Sequence, residues 1–240
     1  MTKTIAIFGA GLGLGTAVAR RFGREGYQVA LVARRPEPLA ALKATLAAEG
    51  IEAEAFPADL SRPQDMAGLV ESIRARFGRI DILEYAPIST APFIPAASLT
   101  SQQLADKLNL HALTLIELVQ IILPEMIARG DGAILVGQGS TAVQGRPYMS
   151  GFGPAMAAAR NYSYSLHGEL APKGIYAGAL TVSGLIAGSE GHQMITSGAV
   201  KVDLPNGATL TTIDPNDLAE IYWDMLAKRD RVEVIHPPLG

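Results

Sequence analysis

Four glycines occupy alternate positions near the start of the sequence, from Gly9 to Gly15. The apolar run IAIF at residues 5–8 precedes them, and residues 16–22 have the composition of a helix. A strand, a glycine turn and a helix together bind phosphate groups, because glycine lets the backbone approach closely and a helix N-terminus offers free N–H groups. The sequence therefore predicts a dinucleotide-binding turn with contacts from Gly9, Gly11, Leu12, Gly13, Leu14 and Gly15.

The spacing of these glycines distinguishes two phosphate-binding patterns. The pattern G-x-G-x-x-G fails, because Leu14 stands where its third glycine is required. The wider pattern G-x-x-x-G-x-G fits Gly9, Gly13 and Gly15. A turn that only packs the helix on the strand is the alternative interpretation, and the order strand, turn, helix favours nucleotide binding.

The end of the second predicted strand, residues 28–33, indicates which nucleotide is bound. NAD-binding folds place an acidic residue there to accept hydrogen bonds from the ribose hydroxyls. Here the strand ends in Ala33, Arg34 and Arg35, and no carboxylate is available. Two guanidinium groups can instead bind a 2′-phosphate through charge-assisted hydrogen bonds, which predicts NADP(H) as the cofactor. A solvated basic turn is the alternative.

Strands and helices alternate along the chain. Short apolar runs predict further strands at 52–57, 80–85, 132–137, 175–182 and 232–235. Helices are predicted at 36–49, 63–77, 100–129, 153–170 and 214–228. This order predicts an α/β fold, a single doubly wound Rossmann-type domain with a parallel sheet over residues 1–240. The glycine-rich residues 183–210 are predicted to form a loose, lid-like segment, and an ordered surface loop is the alternative.

Composition excludes several classes of function. The chain has 240 residues, 48% of them hydrophobic and 18% charged, which suits a large buried core. A net charge of −3 gives no basic footprint for nucleic acid. Cysteine is absent and the N-terminus leads directly into a strand, so we expect a cytoplasmic protein without a signal peptide. Polar residues interrupt the apolar stretch 108–127, so no membrane span is expected, and the four histidines show no metal-binding spacing.

Three further segments accompany the glycine turn in a familiar order: GRIDIL at 78–83, LPEM at 123–126 and GAILV at 132–136. With the G-x-x-x-G-x-G turn, this order resembles the short-chain dehydrogenase/reductase family over nearly the whole chain. The resemblance implies nicotinamide chemistry on a small-molecule substrate and a homo-oligomer paired through the helix rich in small residues. It also implies cofactor contacts from Asp59, Leu60 and Ala86, although Asp59 could equally cap the helix that follows it.

The family usually carries Tyr-x-x-x-Lys at the start of the helix after the fifth strand, where the tyrosine transfers the substrate proton. Counting back from HGEL at 167–170 places this pair at Phe152 and Met156. Phenylalanine has no proton to transfer and methionine has no charge. The resemblance places the helix asparagine at His111 and the catalytic serine at Gly139 or Ser140.

Other side chains could supply the missing proton. The candidates are Tyr148, Ser140, His111 and Tyr85, and each also has a purely structural interpretation. Arg160, one helical turn beyond Met156, could hold a ribose or a phosphate but cannot exchange protons.

Three functions are compatible with this pattern. The first is an NADP(H)-binding oxidoreductase with a non-standard active site. The second is a nucleotide-binding protein without turnover, such as a sensor or a partner subunit. The third is a non-redox enzyme, for example an isomerase, on the same scaffold, and the fold alone does not decide among them.

Overall fold

The fold is described from a computed structural model that covers residues 2–89, 92–198 and 211–239. Seven parallel strands form the central sheet: β1 (Thr4–Phe8), β2 (Gln28–Ala33), β3 (Ala53–Pro57), β4 (Ile82–Tyr85), β5 (Gly132–Gly139), β6 (Ile175–Val182) and β9 (Glu233–His236). Two short strands, β7 (Leu185–Ile186) and β8 (Thr212–Ile213), pair separately. The order of the large sheet is β3-β2-β1-β4-β5-β6-β9, so the direction of strand connection reverses between β1 and β4.

Helices cover both faces of this sheet. They are α1 (Leu14–Arg24), α2 (Pro36–Ala48), α3 (Met66–Phe77), α4 (Ser101–Leu108), α5 (Thr114–Arg129), α6 (Phe152–Leu170), α7 (Glu190–Thr196) and α8 (Pro215–Lys228). Successive side chains of β1 point to opposite faces: Ile5 and Ile7 pack with α1, α2 and α8, whereas Ala6 and Phe8 pack with α3, α5 and α6. Burial on both faces explains why β1 is apolar throughout. The predicted doubly wound α/β fold is confirmed.

The predicted helix over residues 100–129 is interrupted. It begins as expected at Thr100, whose Oγ1 accepts a hydrogen bond from the Gln103 backbone N–H at 3.2 Å. A π-turn over Asn109–Leu113 then separates α4 from α5. Such a turn adds one residue to the helical path, and the sequence pattern gave no sign of it.

The predicted loose segment at residues 183–210 contains a short strand and a helix in the part that the structure describes. Residues 185–186 pair with β8, and α7 begins at Glu190 because Ser189 accepts a hydrogen bond from the His192 N–H at 3.1 Å. The nearby glycines obscured this N-cap in the sequence. Residues 199–210 of the predicted segment lie outside the described residues.

One helical run, Ser101–Arg129, is long and apolar enough to cross a membrane by length and composition alone. Within it, the inward face of α5 belongs to the core, with Leu115, Leu118, Val119, Ile122 and Met126 at most 2% exposed. The α5 part of the run is therefore a core helix, as predicted for the apolar stretch 108–127.

Candidate functional site

The glycine turn connects β1 to α1 through a sharply folded backbone. Gly9 has a φ of +115°, and an added Cβ at this position would lie 2.7 Å from the Ala86 carbonyl oxygen. An added Cβ at Gly15 would lie 2.7 Å from Ala10 Cα, so α1 could not pack as closely on β1. Glycine is therefore required at both positions. No side chain caps the N-terminus of α1 at Gly13. The Thr16 N–H donates to the Gly11 carbonyl oxygen at 3.1 Å, whereas within the described residues the N–H groups of Leu14 and Gly15 have no acceptor and can serve a ligand.

A cleft of about 620 Å³ opens beside this turn, at the carboxyl ends of β1, β2, β4 and β5. Doubly wound folds bind their ligands at this place, where the strand order reverses. All twelve residues that the sequence predicted to contact a cofactor line the cleft: Gly9, Gly11, Leu12, Gly13, Leu14, Gly15, Ala33, Arg34, Arg35, Asp59, Leu60 and Ala86.

Two arginines and one carboxylate form the outer rim of the cleft. Arg34 and Arg35 follow β2 and are both exposed. Asp59 is partly buried, which opposes its charge. Hydrogen bonds from the Ser61 N–H at 3.0 Å and the Ser61 hydroxyl at 2.8 Å, with the charge of Arg34, nevertheless lower the pKa of Asp59. Asp59 is therefore a rigid anion, held by Ser61 at the edge of the cleft.

The segment after β6 covers part of the cleft. An added Cβ at Gly13 would lie 3.0 Å from Ser189 Cβ and 3.1 Å from Ile186 Cγ2, so this segment packs directly on the glycine turn. Arg35 and Glu190 form an ion pair that joins the basic rim to the start of α7. The start of α7, Glu190 and Gly191, therefore lines the cleft next to the basic rim.

A lysine that the sequence analysis did not single out lies at the inner end of the cleft. Lys107 of α4 lines the cleft although its residue is only 7% exposed. Its Nζ donates a hydrogen bond to Ser89 Oγ at 2.8 Å and lies 4.4 Å from the centroid of the Phe152 ring. Its position one helical turn before His111 is the sequence signal that could have identified it.

Comparison with known proteins identifies the chain. The sequence profile described as short chain dehydrogenase matches residues 3–191. The chain belongs to the short chain dehydrogenase family. An oxidoreductase named asL5 from Sarocladium schorii is 32% identical over 173 residues, which cover 72% of this chain and 68% of the relative.

Two solved structures share the fold of this chain. A short-chain dehydrogenase from Sphingobium yanoikuyae, in complex with NADPH, is 28% identical and superposes with a TM-score of 0.79 over 99% of this chain and 89% of that chain. An L-sorbose reductase from Gluconobacter frateurii, complexed with NADPH and L-sorbose, is 22% identical with a TM-score of 0.82 over 99% and 98% of the two chains. At 22% identity, the similarity to the reductase supports the fold assignment only.

The predicted proton donors do not converge on the cleft. Tyr148 is 54% exposed on a loop and Ser140 is buried directly after Gly139; neither is among the described residues that line the cleft. Tyr85 is buried and donates its hydroxyl hydrogen bond to the Leu110 carbonyl oxygen, and burial raises its pKa. This hydroxyl is therefore committed to the π-turn.

His111 is buried in the π-turn, with its ring centroid 6.2 Å from that of Phe152. Burial, assisted by the charge of Lys107, lowers the pKa of His111 to about 4. The imidazole is therefore neutral near pH 7 and offers no readily released proton. Its Nε2 has no hydrogen-bond partner among the described residues.

Arg160 is also absent from the described residues that line the cleft. Its guanidinium binds the Glu233 carboxylate at 2.6 and 2.9 Å, and the Tyr164 and Thr181 hydroxyls donate to the same carboxylate at 2.7 and 2.6 Å. This network joins α6 to β6 and β9. The suggestion that Arg160 could hold a ribose or a phosphate is therefore wrong, because its charge is satisfied by a glutamate distant in sequence.

Proposed function

We propose that the protein is an NADP(H)-dependent oxidoreductase with a non-standard active site. The observation that carries this proposal is Arg34 at the rim of the cleft, at the end of β2, next to Arg35, which is paired with Glu190. Guanidinium groups suit a 2′-phosphate, and the partly buried Asp59 stands one strand further on, at the end of β3. The Sphingobium relative, 28% identical, is in complex with NADPH.

The residues of the cleft fit such a cofactor. The glycine turn and the uncapped start of α1 would bind the pyrophosphate, Asp59 and Leu60 the adenine side, and Ala86 the inner half of the dinucleotide. When bound, NADP(H) supplies or accepts the hydride, and this chain's residues orient the reactants and exclude water.

The proposed active site lacks the proton-transfer pair typical of the family. Phe152 is buried and Met156 lines the cleft 3.7 Å from the Thr141 hydroxyl, so neither position carries a proton donor or a cation. Two other functions have support from the same observation: a nucleotide-binding protein without turnover, and a non-redox enzyme such as an isomerase. The former would bind NADPH and oxidise none, and the latter would convert substrate without net change in the nicotinamide.

The test is an equilibrium titration of the purified protein with NADPH and, separately, with NADH. We expect tight binding of NADPH and weak binding of NADH. Binding of neither nucleotide would contradict the proposal. Equal binding of both would show that the protein does not recognise the 2′-phosphate.

A charge reversal at the rim should separate the two nucleotides. We expect Arg34→Glu to weaken NADPH binding by about 10- to 100-fold, because a charge-assisted hydrogen bond contributes roughly 1.5–3 kcal/mol. NADH binding should change little. The matched control is Lys173→Glu, which makes the same change of charge at an exposed residue outside the cleft. Equal losses for both nucleotides would show that Arg34 does not contact the 2′-phosphate.

Gly11 offers a substitution that should affect binding without affecting folding. Among the described residues, an added Cβ there meets only the Gly9 carbonyl oxygen, at an ordinary contact distance of 3.8 Å. We therefore expect Gly11→Ala to leave the melting temperature nearly unchanged while weakening NADPH binding roughly tenfold or more, since the methyl group occupies the approach of the pyrophosphate. Gly15→Ala is the contrasting variant, which we expect to lower the melting temperature. Undiminished NADPH binding by Gly11→Ala would place the pyrophosphate elsewhere.

The remaining expectations are also part of the proposal. A homo-oligomer would pair through the outer face of α6, where Ala158 and Pro154 are exposed and Tyr164 is 39% exposed. The sequence has no cysteine, which suits the reducing cytoplasm. The lid-like role of residues 183–210 is supported by the contact of the described residues Ile186 and Ser189 with the glycine turn. The substrate is a small molecule held at the inner end of the cleft.

A further inference from the structure

Lys107 is a buried cation that forms no ion pair within the part of the chain that the structure describes. Its residue is 7% exposed, and within residues 2–89, 92–198 and 211–239 no carboxylate forms an ion pair with its Nζ. Its contacts are the Ser89 hydroxyl at 2.8 Å and the face of the Phe152 ring at 4.4 Å. Removing an ammonium group from water is costly unless a negative or polar partner replaces the water. A buried ammonium group of this kind therefore favours a ligand that brings a negative or polar group to it.

The groups around Lys107 compensate its positive charge only weakly. Burial lowers the pKa of Lys107, and the opposing effect of Asp106, the neighbouring residue on α4, is smaller. His111, one turn further along, is neutral near pH 7 because its own pKa is about 4. Phe152 of α6 carries no charge. The ammonium is therefore readier than an exposed lysine to release a proton.

We propose that Lys107 is the proton donor of this active site, with Ser89 beside it, and that together they hold the carbonyl oxygen of the substrate. This inference rests on the proposed NADP(H)-dependent function. Lys107 lies directly over the aromatic ring at the position where the family resemblance places its tyrosine, and it lines the cleft that would hold the nicotinamide. The other candidates for proton transfer, Tyr148, Ser140 and Tyr85, do not line that cleft within the described residues.

The proposed step balances as follows. The carbonyl carbon receives a hydride from the reduced nicotinamide, and the π electrons of the C=O bond move to the oxygen. The oxygen takes one proton from Lys107 Nζ, which becomes a neutral amine and regains its proton from water. The net change is one carbonyl, one reduced nicotinamide and one proton converted to one alcohol and one oxidised nicotinamide. A positioned proton donor contributes about 10²- to 10⁴-fold to such a rate.

The first test observes Lys107 itself. In protein labelled with ¹⁵N-lysine, the Nζ signal that is missing from Lys107→Arg and present in Lys173→Arg belongs to Lys107. We expect this signal to titrate at a lower pH than the side chain of free lysine. Benzoate, added to the NADP⁺-loaded protein as an oxygen-anion probe, should shift the signal and raise its titration midpoint. An ordinary titration without a response to benzoate overturns the proposal.

The second test measures NADPH oxidation with benzaldehyde, cyclohexanone and 9,10-phenanthrenequinone. We expect Lys107→Met and Lys107→Arg each to lower kcat about 100-fold while NADPH affinity is unchanged, since arginine keeps the charge but releases no proton near neutral pH. A normal rate in Lys107→Arg assigns Lys107 an electrostatic role only and overturns the proposal. Wild-type protein that binds NADPH but oxidises none with these probes also overturns it. Absence of NADPH binding instead contradicts the proposed function, whatever the titration of Lys107 shows.

Discussion

Replacing Glu84 with glutamine should stabilise the protein at alkaline pH and have little effect at acid pH. Glu84 lies in the middle of β4 and is 1% exposed, and neither carboxyl oxygen has a hydrogen-bond partner among the described residues. Burial raises the pKa of Glu84 from 4.5 to about 8. The hydroxyl of Tyr222, whose pKa is raised by burial and by the charge of Glu84, also lacks a partner there.

The direction of the effect follows from proton linkage. Between pH 4.5 and about 8 the folded protein keeps a proton on Glu84 that the unfolded chain has lost. The free energy of unfolding therefore falls as pH rises, by about 1.4 kcal/mol per pH unit, and reaches a total loss of about 5 kcal/mol above pH 8. Below pH 4.5 both states are protonated and the loss vanishes. Glutamine carries no charge at any pH, so this slope is absent from the variant.

The measurement is urea unfolding of wild type and Glu84→Gln from pH 4 to pH 9. We expect the stability difference to grow from near zero to about 5 kcal/mol across this range. Glu71→Gln is the matched control, because the Glu71 side chain is 78% exposed on α3. A pH-independent difference between Glu84→Gln and wild type would mean that Glu84 is not kept protonated in the folded protein.

Restoring the proton-transfer pair should produce a strong gain of activity. The double substitution Phe152→Tyr with Met156→Lys is expected to raise NADPH-dependent carbonyl reduction about 10²- to 10⁴-fold, because it adds a proton donor and a cation to one face of α6. Met156 lines the cleft, and residue 152 stands one turn earlier on the same helix face.

The two single variants separate the contributions of residues 152 and 156 to the expected gain of activity. Lys107 Nζ already lies 4.4 Å from the ring centroid at residue 152, so the phenol added by Phe152→Tyr would be next to a cation that favours its ionised form. We therefore expect Phe152→Tyr alone to show part of the gain and Met156→Lys alone to show little. NADPH oxidation on a panel of aldehydes and ketones provides the measurement. No gain in the double variant, with NADPH still bound, would contradict the placement of these residues beside the nicotinamide.

The parts of the site that sequence analysis predicted are local. The glycine turn, Arg34 and Asp59 each follow a strand by one or two residues, and the carboxyl ends of parallel strands meet at one edge of a sheet. The prediction of a parallel sheet was therefore enough to bring these residues to the same edge. The confirmed fold class has the same origin, since alternating strands and helices leave few possible topologies.

The parts that were missed depend on packing between distant segments. Lys107 is a cleft residue because α4 places it over a ring of α6, and nothing within α4 reveals that contact. Arg160 looked available until Glu233, 73 residues later in the chain, was found to bind it. The N-cap of α7, Ser189, was not predicted because Gly188 and Gly191 on either side of it are typical of loops. A sequence pattern indicates which helices and strands form, but it does not show which side chains contact each other across distant segments.

The π-turn at Asn109–Leu113 sets the rotational phase between α4 and α5. Each residue of an α-helix advances the side-chain direction by about 100°, so one additional residue turns the whole of α4 by that angle relative to α5. The apolar side of α5 can then face the sheet while Lys107 of α4 faces the cleft. In a continuous helix of one residue fewer, the same sequence of α4 would direct a different side chain into the cleft.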